Sequence, residues 1–159
     1  LYYVITYAIT VLGAFAVVSV VEHHTKGDKL SDFAGLSQRA PLLSACMMIF
    51  MLSLAGIPPL AGFFGKFYVF ADALRYGANN LGLLWLVVLA IGTSAISLYY
   101  YLQVLKQIYV AKSSSETQVN VAFPVQVAIA VLALAVLVLG CLPNLLVSKL
   151  LAAIKLTGF

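Results

Sequence analysis

Four stretches of the chain are almost continuously apolar: about residues 2–21, 41–74, 83–109 and 123–142. Each matches or exceeds the ~20 residues that carry a helix across a bilayer. The apolar positions do not come in short alternating segments, as the strands of a membrane barrel would, so the pattern predicts helices. Polar residues collect between these stretches. Residues 22–40 hold Glu22, His23, His24, Lys26, Asp28, Lys29, Asp32 and Arg39. Gly77-Ala78-Asn79-Asn80 and Ser113-Ser114-Ser115-Glu116 mark two further loops. Beyond Pro143, Lys149 and Lys155 interrupt the apolar residues of 144–156, which fits an amphipathic helix lying in the membrane interface.

The second stretch is too long for one straight crossing. As a continuous helix, residues 41–74 would reach ~50 Å, against a hydrocarbon core of ~30 Å. Pro58 and Pro59 supply a break. Each lacks an N–H, and each ring clashes with the carbonyl four residues back, which frees the carbonyls of Leu54 and Ala55. Within a bilayer such groups persist only inside a protein bundle or beside water. The expectation is an all-α integral membrane chain with four transmembrane helices, the second discontinuous at Pro58-Pro59.

Composition agrees. Of 159 residues, 64% are hydrophobic and 9% charged, with mean hydropathy +1.07; a soluble domain carries about 25% charged residues. The net charge of +4 is a matter of orientation, not of nucleic-acid binding. Lys26, Lys29, Arg39, Lys106 and Lys112 fall on one side of a four-span arrangement, and Arg75, Lys149 and Lys155 on the other. This bias predicts that loop 22–40 is cytoplasmic or its topological equivalent. The chain opens on Leu1-Tyr2-Tyr3, without Met or a basic leader, which suggests a piece of a longer polypeptide. Cys46 and Cys141 lack metal-ligand spacing and are expected to be small packing residues.

Against this background Lys66 stands out. A lysine in hydrocarbon costs several kcal/mol unless it is solvated, paired or neutralised. About ten residues, ~15 Å of helix, separate Lys66 from the loop at 77–80, which is too far for easy snorkelling. Pro59 and Gly62 fall near its helical face, and Gly62 and Gly65 remove bulk beside it, leaving room for water or a neighbouring helix. Burial disfavours a charged amine and an acidic neighbour favours it; held between these pulls, Lys66 can load and release a proton. Asp72, six residues on, points elsewhere and fits Arg75 as an interfacial partner. Thr93, Ser94, Ser97, Tyr100 and Tyr101 recur at helical spacing in the third stretch. They are candidate channel lining, although interhelical packing is the plainer role for each. Tyr3, Tyr7 and Thr10 form a similar stripe in the first stretch. The fourth, bare between Val127 and Leu139, is expected at the periphery. His23 and His24 fit a solvated loop. No phosphate loop, nucleophile elbow or redox-cofactor motif is present, so no cofactor is expected.

The run Leu52-Ser53-Leu54-Ala55-Gly56-Ile57-Pro58-Pro59-Leu60-Ala61-Gly62-Phe63-Phe64-Gly65-Lys66-Phe67 resembles the antiporter-like membrane subunits of respiratory complex I, the proton-pumping NADH:quinone oxidoreductase, and their chloroplast and cyanobacterial relatives. Asp32-Phe33-Ala34-Gly35-Leu36 and Ser97-Leu98-Tyr99-Tyr100-Tyr101-Leu102 add to the likeness, which covers essentially the whole chain and is strongest to the N type. The M type usually has a glutamate where Lys66 stands, and the L type continues into a long lateral helix. The resemblance implies the C-terminal part of a fold of about fourteen helices built on inverted repeats. Here the second stretch would be the second broken helix and Lys66 its proton-relay residue. It also implies a non-redox subunit without an active site of its own. The implied setting is a bacterial inner membrane or, alternatively, an organellar one. Expected partners are sister antiporter-like subunits, other membrane subunits, lipid and the N-terminal remainder of its own subunit. Earlier relay residues would lie outside this chain, so it would not pump alone. A subunit of a multisubunit cation/proton antiporter and a purely structural docking module are the alternatives.

Overall fold

A short apolar helix at Pro41–Ala55 is what the rest packs around. A computed structural model describes residues 1–27, 29–77, 81–112, 119 and 121–157. Asp28, the loop residues 78–80 and the Ser113–Glu116 run lie outside the described residues. Among these residues seven α-helices follow in order: α1 Tyr2–Thr25, α2 Leu36–Arg39, α3 Pro41–Ala55, α4 Ala61–Gly77, α5 Leu81–Tyr109, α6 Phe123–Cys141 and α7 Asn144–Thr157. A 3-10 turn at Leu30–Phe33 precedes α2. Among the described residues there is no strand. By length and composition α1, α5 and α6 are able to cross a membrane, and α3 is a shorter apolar helix.

The second apolar stretch is two helices, α3 and α4, separated at Gly56–Leu60. The prolines are only part of the reason. Gly56 adopts φ +83°, a left-handed conformation that closes the helix end. Its N–H donates to Ser53 O at 3.0 Å, and the N–H of Ile57 donates to Leu52 O at 3.1 Å. These are the two reverse bonds of a Schellman cap. So α3 stops at Ala55, three residues before Pro58. Pro58 and Pro59, joined by a cis peptide bond, then stand where the helix does not resume.

Each face of α3 has a neighbour. Leu43, Cys46, Met47, Phe50 and Met51 are buried against α1, α5 and α6. Phe50 is completely buried and fills the space that a side chain at Gly13 of α1 would take. In α6, Ile129, Ala133, Val136 and Gly140 face this core. Gly140 lies against the backbone of Pro59–Ala61, where a methyl group would not fit. The fourth stretch is therefore not peripheral: small residues at Ala133 and Gly140 let α6 approach the α3–α4 break. The barer helix is α5, with Trp85, Leu86, Ile96, Tyr99 and Tyr100 each more than 60% exposed.

The polar loop 26–40 is tied down by its own chemistry. The N–H of Lys29 donates to Asp32 Oδ2 at 2.9 Å, while Phe33 and Leu36 are buried beneath. Gly35, at φ +64°, turns the chain, and its N–H donates to Gln107 O at the end of α5. The N–H of Val119 donates to Arg39 O. The segments after α1 and after α5 thus meet at one end of the bundle, as the four-span arrangement predicts.

Candidate functional site

Lys66 begins the second turn of α4, and its side chain reaches back across the break. Its ammonium donates to Leu54 O at 3.0 Å and to Ser94 Oγ at 2.7 Å. Leu54 O is one of the carbonyls that the end of α3 leaves without a helical partner, so the break itself supplies an acceptor for the charge. Ser94 sits close to the middle of α5, a helix of 29 residues. The amine is therefore held at the mid-depth of a helix of membrane-crossing length. Gly56 allows the reach: a Cβ there would stand 3.3 Å from Lys66 Cδ and 3.4 Å from Nζ.

Two cavities flank this amine. The larger, about 380 Å³, is lined by hydroxyl side chains of α1 and α5, including Tyr3, Tyr7, Thr10, Thr93, Ser97 and Tyr101. The smaller, about 300 Å³, is lined mainly by Ala55, Gly56, Phe63, Phe67, Ile91 and Leu98. Lys66 and Ser94 border both. The pair therefore stands between a polar chamber and an apolar one. Among the described residues neither chamber is lined by an acid; Lys66 faces neutral dipoles. Asp72 is exposed and borders a third cleft, with Tyr2, Tyr68 and Val147.

The hydroxyls of the polar chamber are oriented by their own helices. Thr6 donates to Tyr2 O, Thr10 to Thr6 O, Thr93 to Leu89 O and Ser97 to Thr93 O, all four residues back. With the proton committed to a backbone carbonyl, each oxygen offers the chamber lone pairs. Such a wall accepts hydrogen bonds from water or from a protonated amine. Passing a proton along requires the hydroxyl to turn first.

Of the candidate lining residues, Thr93, Ser94, Ser97 and Tyr101 border the polar chamber. Tyr100 does not: it is 64% exposed, 100° around the helix from Tyr101. Gly62 and Gly65 make room for protein. A Cβ at Gly62 would collide with Ser53 O, and one at Gly65 would meet the Tyr3 ring. Ala55 lines the apolar chamber, and Pro58 and Pro59 lie in the break. Sequence reasoning missed Thr6, Ser53 and Gly56. Thr6 and Thr10 are four apart, a repeat that marks one helical face. A glycine two residues before proline is a recognisable helix stop. Ser53 gives no comparable signal, because its partners lie on other helical segments.

The model of the family described as NADH:quinone oxidoreductase/Mrp antiporter, TM matches residues 1–97. The chain is 53% identical over 148 residues to NADH-quinone oxidoreductase subunit N 2 of Acidobacterium capsulatum, covering 92% of this chain and 29% of that protein. It is 39% identical over 160 residues to NADH-quinone oxidoreductase subunit N of Trichlorobacter lovleyi, covering 98% and 31%. The chain thus spans less than a third of the length of these relatives. In a solved structure of respiratory complex I from Thermus thermophilus with bound aureothin, one chain superposes with a TM-score of 0.72 at 35% identity, covering 91% of this chain and 32% of that one. On this evidence the chain belongs to the NADH:quinone oxidoreductase/Mrp antiporter transmembrane family.

Proposed function

We propose that this chain is part of a membrane subunit of a proton-translocating NADH:quinone oxidoreductase, with Lys66, half-buried among these helices, as a proton relay. The carrying observation is that the Lys66 ammonium bonds to Leu54 O and Ser94 Oγ between two unlike chambers. An ammonium can persist there because two dipoles solvate it. It can lose its proton because, among the described residues, no carboxylate holds the charge permanently. Water entering the polar chamber, its hydrogens directed at the hydroxyl walls, turns an oxygen toward the amine and can take that proton. Loading is the reverse: a neutral amine accepts a proton from a protonated chain and regains both bonds. Redox chemistry elsewhere in the complex would bias which of these happens, so this chain needs no cofactor of its own. Sister membrane subunits and lipid would cover the bare face of α5. The cluster of five basic residues at one end fits the cytoplasmic side of a bacterial inner membrane.

The test is Lys66→Ala in the complete subunit within the assembled complex, reconstituted into vesicles. Proton translocation is expected to fall severalfold; unchanged pumping would overturn the relay role. The family also includes cation/proton antiporters. Sodium-dependent transport without quinone reduction by the complete assembly would favour that reading. The names of the relatives favour the first.

A further inference from the structure

The break between α3 and α4 has a fastening that the relay itself does not use. Ser53 lies in the last turn of α3 and is 1% exposed. Its Oγ accepts the N–H of Gly62, the second residue of α4, at 3.1 Å. That N–H is one of the donors a helix start leaves without a partner. Capping usually comes from a residue just ahead of the helix; here it comes from the preceding helix, nine residues back, across the break. The absence of a side chain at Gly62 lets the two backbones come together, since a Cβ would collide with Ser53 O. Thr10 Oγ1, at 3.5 Å, lies on the far side of the same hydroxyl.

The neighbours of this bond are the relay atoms. Leu54, next to Ser53, supplies the carbonyl that Lys66 binds. Lys66 stands four residues after Gly62, one turn along the same helical face. Joining Ser53 to Gly62 therefore fixes the first turn of α4 against the last turn of α3. That sets how far the amine must reach to Leu54 O. We propose that Ser53 is a positioning residue for Lys66: its hydroxyl clamps the two half-helices so that the ammonium meets the freed carbonyl. The proposal rests on the relay reading for its effect on pumping, but not for its effect on geometry.

Three translocation measurements on the assembled complex, and one density map, decide it. Ser53→Ala should lower proton translocation about two- to tenfold, the factor that one hydrogen bond of ordinary strength is worth. Ser44→Ala removes a serine equally buried in α3, bonded to Ala40 O and far from the break, and should leave translocation unchanged. In a Lys66→Ala background, Ser53→Ala should add no further loss, because the clamp acts through the amine. Where Lys66→Ala itself lowers pumping, an unchanged rate for Ser53→Ala, an equal loss for Ser44→Ala, or additive losses in the double variant would each overturn the proposal. The density map is that of the Ser53→Ala complex, in which the Lys66 amine should move out of hydrogen-bonding reach of Leu54 O. An intact Lys66–Leu54 bond would reject the clamp whatever the pumping result. If Lys66→Ala alone pumps normally, the relay reading falls and the map still decides the clamp.

Discussion

At the scale of single residues, the site works by removing atoms as much as by placing them. Gly56 both ends α3 and leaves space for the Lys66 side chain. Gly56→Ala should therefore harm twice, through a left-handed backbone that alanine resists and through crowding of the amine. A loss of stability of about 1 kcal/mol or more is expected in melting of the detergent-solubilised complex, together with reduced pumping. Lys66→Arg offers a complementary separation. A guanidinium keeps the positive charge and the donors but does not release a proton at any working pH. If Lys66 is a relay, the arginine variant should assemble normally and pump as poorly as the alanine variant; near-normal pumping would point to a fixed charge. Lys66 was legible from sequence because one charge in a long apolar run has few explanations. Ser94 appeared only as one hydroxyl among several, because nothing within α5 marks which of them a lysine twenty-eight residues earlier will touch. Tyr100 and Tyr101 stand side by side in the stripe that the sequence offers, but consecutive helical residues point in different directions, and Tyr101 is the one that borders the hydroxyl-lined cavity.

At the scale of elements, the sequence carried the helices and the interruption because both follow from length and from proline chemistry. It did not assign the stop to the right residue. The Schellman bonds at Gly56 and Ile57 end α3 before either proline is reached. Pro58→Ala should therefore leave the two helices separate, detectable as an unchanged break in a density map, whereas Gly56→Ala should disturb it. The placement of α6 was equally hard to foresee. Its sequence is uniformly apolar, so no polar face marks which side turns inward; Gly140, set against the Pro59–Ala61 backbone, settles that by shape. The α1–α3 contact makes the same point. Gly13 lies directly against the buried ring of Phe50. Gly13→Ala should destabilise the subunit by about 1–3 kcal/mol through overpacking, read as earlier melting of the complex.

At the scale of the molecule, the backbone bonds from Gly35 to Gln107 and from Val119 to Arg39 gather two loops at one end. Single cysteines placed at Lys26 and Lys112, with Cys141→Ala to remove the exposed native thiol, should react with an impermeant maleimide from the same side of a sealed vesicle. A cysteine at Lys149 should react from the other. Labelling of Lys26→Cys and Lys112→Cys from opposite sides would contradict the arrangement of the bundle. One feature joins this scale to the smallest. The Lys66 amine is carried by α4, bonded to the end of α3 and bonded to α5, so a single nitrogen rivets three helices. The rivet is strong only while it is charged, because hydrogen bonds from an ammonium are roughly twice as strong as those from a neutral donor. Discharging the amine thus loosens a mechanical joint, and straining the joint makes the amine easier to discharge. Chemical state and mechanical state at Lys66 are one variable read in two ways, and a force applied to α5 from elsewhere in an assembly would act directly on where the proton resides.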